Sequence, residues 1–341
     1  MATGPTALGD VLQPQAVSDY MSAALPDHLA LMSSGAATLD LTPVAQMGGS
    51  TLQLRHFAED TTRAELDDGT DADGAVMPSW LDVAVITRRR RSRAVNSAVM
   101  DALGRGPAAV NDEIGRQGAY YWAKEIETAL VNVITGVFDP SSGVLRTTHL
   151  HDIGVSAQTP VKASYGGLVD ASARLGDNMD DFIALCVHSK HWADLKKENA
   201  QKIDYQPMRD EAGMPIMDET GRPVRPLRFY DGKLVIVWDQ IASTGSGSFK
   251  KYTSILVRRG ALGIGFQKDV NTRVYYNGSK NQDWIIQPAA FASHLHGVKW
   301  VGTAASPAGP TNAELATATN WTKVATNNKE IGLVAFVANA S

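Results

Sequence analysis

A chain of 341 residues, 44% hydrophobic and 20% charged, can bury a sizeable core and is too apolar for an intrinsically disordered protein. Its formal net charge of −4 argues against a dedicated nucleic-acid binder, which needs clustered Lys and Arg facing phosphates. Cys186 is the single cysteine, so an intrachain disulfide is excluded, and no apolar run approaches a membrane-spanning length.

The first basic residue is Arg55, so no secretory signal is expected near the N-terminus. Residues 1–46 carry Asp10, Asp19, Asp27 and Asp40, broken by Pro14, Pro26 and Pro43. They predict an arm with one short helix near Val17 to Ala24, which must lie on something else. Residues 50–57, STLQLRHF, alternate as a strand does, and residues 80–87, WLDVAVIT, supply a returning partner. Between them Glu59, Asp60, Glu65, Asp67, Asp68, Asp71 and Asp73 face only Arg63. Two readings stand for this tip: a solvated hairpin end, or a loop that docks on a basic partner. Arg88, Arg89, Arg90, Arg91 and Arg93 follow at once and lead into an expected helix through Val95, Val99, Met100 and Leu103. No aromatic stacking residues accompany the run, so an intersubunit partner for the acidic tip or arm is preferred to nucleic acid.

Pro107 to Phe138 predicts one long amphipathic helix of roughly 45 Å, with proline at its first position. Ile114, Trp122, Ile126, Leu130 and Val133 mark its apolar stripe, and Gly136 with Asp139-Pro140 is expected to close it. Asp139 to Pro160 is turn-rich. Its His149, His151 and Asp152 could ligate zinc only with a further ligand that nothing marks, so an ordinary loop is expected. Residues 161–206 predict helix, strand, helix. Residues 207–228 are polar and proline-rich, as in a surface excursion such as an extended hairpin. Strands are expected at Lys233–Asp239, Tyr252–Arg259, Ala261–Gln267, Trp284–His296 and Ile331–Val337, with a short helix near Asn312 to Thr319.

Chemistry is not marked. Ser189 lies among His188, His191 and Asp194 but lacks nucleophile-elbow glycines, and a helix cap accounts for it. Gly263-Ile264-Gly265 lacks the third glycine of a dinucleotide site. No catalytic, cofactor-binding or metal residues are expected. A soluble enzyme with dispersed groups stays as an alternative of another class.

The order of elements, from arm and acidic loop through ALVNVITGVFD, DFIALCVHSKHWADLKKENAQ, YDGKLVIVWDQI and KYTSILVRRGALGIGFQK to HLHGVKW, resembles a tailed-bacteriophage major capsid protein of the Hong Kong 97 fold. The resemblance spans most of residues 45–300. It implies an α+β chain: arm 1–46, extended loop 47–92, peripheral domain 93–164 with spine helix 107–138, axial domain 165–288, and a return to the peripheral domain over 289–341. It implies a non-enzymatic subunit that forms pentamers and hexamers in an icosahedral or prolate head around double-stranded DNA, without sequence specificity. Portal, a separate scaffolding protein and decoration proteins would be its other partners, with assembly in the host cytoplasm, no membrane and no cofactor. With about 46 residues before the loop, the resemblance leads one to expect no N-terminal scaffolding domain of the kind some relatives carry. A cargo-enclosing nanocompartment of the same fold is the alternative within this class. Some capsids of the family weld subunits through a loop lysine and an asparagine. Here the first lysine is Lys124, so a non-covalent shell is expected.

Overall fold

The computed structural model describes residues 14–19, 21, 39–41, 49–58, 78–96, 107–157, 159–206, 227–241, 243–277, 279–280 and 282–340. In chain order its strands begin with β1 (Leu39–Asp40), β2 (Thr51–Phe57), β3 (Ser79–Asn96), β4 (Leu150–Asp152), β5 (Phe182–Val187), β6 (Ile203–Gln206), β7 (Leu227–Tyr230) and β8 (Lys233–Val237). They continue with β9 (Ser243–Thr244), β10 (Lys251–Arg258), β11 (Leu262–Lys268), β12 (Arg273–Asn277), β13 (Gln282–Leu295), β14 (Val298–Trp300), β15 (Trp321–Lys323) and β16 (Leu333–Asn339). The helices are α1 (Pro107–Val137), α2 (Arg146–His149), α3 (Tyr165–Ser172), α4 (Ser189–Glu198) and α5 (Asn312–Leu315).

The predicted long helix forms as α1, with Trp122, Ile126, Leu130 and Val133 each 0% exposed and Ile114 packed at the edge of the same cluster. Its end differs from the prediction. Gly136 lies inside the helix, where a Cβ would stand 2.6 Å from the Leu315 carbonyl oxygen, so this glycine permits the close approach of α5 and does not cap. Residues 14–19 and 21 are helical, and Val17 and Met21 are buried in the main core. The arm does lie on the rest of the chain: the Thr272 N–H donates to Ser18 Oγ at 2.9 Å, and the Gln287 amide meets Met21 Sδ at 3.0 Å.

One eight-stranded sheet has the order β1-β11-β13-β3-β14-β15, with β2 added on β3 and β12 on β13. β2 and β3 pair antiparallel from Thr51 with Val85 to Phe57 with Ser79, as the alternation predicted. β3 runs further than expected. From Ile86 to Asn96 it pairs residue by residue with β13, and this ladder makes a strand of the arginine run and Val95 where a lead into a helix was predicted. The rest of that predicted helix, Val99, Met100 and Leu103, lies outside the described residues.

The second eight-stranded sheet has the order β4-β16-β10-β5-β8-β7-β6, with β9 on β10. Strand periodicity divides its side chains. Leu185, Val187, Leu256, Val334 and Phe336 face α3 and α4, while Cys186, Ile255, Val257, Ala335 and Val337 join the core that holds α1. β16 is buried at all seven positions because both of its faces are covered. Asp139–Pro160 is not the ordinary loop that was expected, and the strands divide between the two sheets out of chain order. β10 and β11, neighbours in sequence, belong to different sheets, the chain crossing between them through Gly260 at φ 77°. β16 joins the sheet of β5 and β10 and not the one under the loop roots. Asp139–Pro160 contains α2 and β4, and β4 is held by parallel pairing with β16. β11, β12 and the first half of β13 fall within the expected axial span, and they belong to the first sheet. β6 and β7 pair antiparallel across the 207–228 excursion, as a hairpin requires; residues 207–226 themselves lie outside the described residues.

Candidate assembly surface

Alternation along β3 sorts the arginines. Arg89 and Arg91 turn toward α1: the Arg89 guanidinium donates to the Pro310 carbonyl at 2.9 Å and lies 3.7 Å from Glu125, and Arg91 sits 4.3 Å above the Tyr121 ring. Burial pushes the Arg89 guanidinium below its ordinary pKa, and Glu125 opposes that shift. Arg88, on the other face, donates to the Gly49 carbonyl and to Gln267, both at 2.9 Å. These three therefore fasten β3 to their own chain. Arg90 and Arg93 are exposed.

Beside Arg93 lies a surface recess of about 360 Å³, lined by Arg91, Arg93, Arg116, Tyr120, Tyr121 and Lys124. Arg116 is paired with Glu113 at 2.8 Å, and Tyr120 is 62% exposed. The recess is basic and rimmed by aromatic rings, a composition suited to an acidic protein segment. The acidic tip itself, Glu59, Asp60, Glu65, Asp67, Asp68, Asp71 and Asp73, lies outside the described residues.

The candidate chemistry dissolves into structural roles. His191 is buried between Ser254 Oγ at 2.7 Å and the Ala338 carbonyl at 3.1 Å, and burial lowers its pKa to about 4. The cap of α4 is His188, whose ring accepts the Lys190 N–H, while Ser189 donates its N–H to Asp239 at 2.8 Å; Ser189 is not the cap that was expected. His149 meets Thr148 at 2.7 Å and the Asn328 carbonyl at 2.9 Å, and Asp152 pairs with Lys251 at 3.0 Å, so these two do not converge. Burial pushes the Cys186 thiol up to about 12, which leaves it unreactive.

Two further features carry little sequence signal. Tyr275, Tyr276 and Trp284 are 54%, 64% and 38% exposed on β12 and β13, and Tyr275 pairs with Trp284 across the strands. The second is a cluster of His56, Asp82, His294 and His296; its only sequence signal is the spacing of two in His294-Leu295-His296, at the end of β13 and the turn that follows it.

A long helix shared by two sheets, with the β2–β3 pair at the edge of the acidic segment, is the arrangement of the Hong Kong 97 capsid fold. Solved structures with this arrangement include the capsid of Ralstonia phage GP4, with a TM-score of 0.55 at 9% identity over 92% of this chain and 89% of that one. The Cyanophage Pam1 capsid asymmetric unit has a TM-score of 0.50 at 13% identity over 87% of each chain. The chain also matches, over residues 17–334, the family described as Gp13-like, major capsid protein 13-like. It is 29% identical over 343 residues to the major capsid protein of Bacillus phage SPP1, covering 97% of both. The chain belongs to the Gp13-like major capsid protein family and is a structural subunit of a tailed-phage head.

Proposed function

We propose that the subunit closes into pentamers and hexamers around packaged double-stranded DNA, that each acidic loop tip docks in the basic recess of a neighbour, and that the shell is non-covalent. The observation that carries this reading is the recess beside Arg93, which pairs open positive charge with an exposed aromatic rim. A tip rich in like charge repels itself alone and is stabilised when opposite charge meets it across an interface. Lys196 and Lys197, exposed in the last turn of α4, form a second basic group that such a tip could meet. The first sheet with α1 would be the peripheral domain and the second sheet, including β16, the axial domain. Portal, a separate scaffolding protein and decoration proteins complete the proposed partners, and assembly takes place in the host cytoplasm.

Reversing Asp67 and Asp68 to Lys tests the docking. Assembly yield should drop, most at low salt, because exposed charge pairs are screened beyond about 10 Å at 0.1 M ionic strength. Adding Arg93→Glu and Lys124→Glu should restore part of the yield. Unchanged assembly of the reversed loop at every ionic strength would remove the recess from the account.

A further inference from the structure

At the root of the extended loop three histidines surround one carboxylate. Asp82 on β3 and His294 on β13 are both 0% exposed. Asp82 Oδ2 accepts the Gly297 N–H at 3.0 Å. The same oxygen lies 3.1 Å from His296 Nδ1, 3.4 Å from His56 Nε2 and 3.6 Å from His294 Nε2. Asp82 Oδ1, His56 Nε2 and both His294 nitrogens are buried without a hydrogen-bond partner. Buried polar atoms are ordinarily satisfied, and a single bound species at this point would satisfy several of these at once.

The donor set narrows what that species is. Ligand atoms of His56, Asp82 and His296 all lie within 4.8 Å of one another. Two imidazoles and a carboxylate suit zinc and its neighbours among the divalent transition metals. Donors about 2.0–2.1 Å from a tetrahedral zinc stand roughly 3.3 Å apart. The 3.1 Å and 3.4 Å separations of Asp82 from His296 and His56 are already near that edge. A cleft of about 550 Å³, lined by His56, Trp80 and His296 together with Arg258, Arg259, Lys329 and Glu330, provides an approach.

We propose that His56, Asp82 and His296 form a site for one divalent transition metal of the zinc class, with His294 as a positioning residue behind the carboxylate. The ion would tie β2, β3 and the turn after β13 together where the loop leaves the subunit. Gly297 holds that turn at φ 85°, and a Cβ there would stand 2.7 Å from Ile331, so the turn that presents His296 is tightly specified.

Purified full-length protein, stripped with chelator and titrated with Zn²⁺ by calorimetry, tests the site. One equivalent should bind and raise the unfolding temperature. His56→Gln and His296→Gln should each weaken binding at least tenfold, His294→Gln about 10- to 100-fold as an outer-shell change does, and His151→Gln should leave it unchanged. Co²⁺ substituted into the unmutated protein should show visible bands of a tetrahedral site, a readout that stands even if a variant fails to fold. Absence of a saturable equivalent of Zn²⁺ in the unmutated protein, or an affinity in H56Q and H296Q equal to that of the unmutated protein, would overturn the proposal.

Discussion

Buried imidazoles set how this subunit answers acid. His149 and His191 have an ordinary pKa of 6.5 in the unfolded chain and about 4 in the fold, burial being the main cause for each. Unfolded chains therefore bind more protons between those values, and stability present above about pH 6.5 is lost as pH falls toward 4. The loss amounts to on the order of 3 kcal/mol for each histidine. Denaturant midpoints measured across that range should fall with acid, and the His191→Gln subunit should show a shallower fall; a flat profile would contradict the burial assigned to these rings. The arginines separate in the same way. Arg91→Ala removes a stacking contact and should cost about 1 kcal/mol of subunit stability, whereas Arg90→Ala should stay within about 0.5 kcal/mol. Equal losses from both in a chemical melt would mean that β3 does not present them to opposite faces.

At the scale of elements, α1 is the member that both sheets use. Ile126 is 0% exposed in the core that contains residues of each sheet, so Ile126→Asp places an uncompensated charge there and should cost several kcal/mol. Soluble Ile126→Asp protein with an unchanged melting temperature would show that the helix is not the common spine. This helix was legible in the sequence because its apolar residues recur at steps of three and four, a pattern that local geometry alone produces. The sheets were legible only strand by strand. β10 and β11 look alike as apolar runs, and nothing local says that Gly260 sends the second to another sheet. The arginine run carries no apolar period, so only its distant partner β13 made it a strand. The candidate sites follow the same division. Charge excess in the acidic tip could be read directly, but the basic recess joins β3 to α1, and the histidine cluster joins β2, β3 and the end of β13. Both needed tertiary contacts to exist.

For the whole molecule, family membership makes the shell the functional unit, and the stretch from Met47 to Arg93 bears on how that shell is held. It contains no lysine, and arginine stays protonated and cannot serve as the amine of an isopeptide bond. Cys186 is buried and offers no substitute link. Particles boiled in detergent with reductant should therefore run as one band near 36.5 kDa; a ladder of multimers would refute the non-covalent shell. Negative-stain electron microscopy of the purified, expressed protein decides whether this chain builds a closed assembly from copies of itself. Rings of five and six subunits or closed shells are the predicted result, and a uniform population of monomers or dimers at every concentration would contradict it.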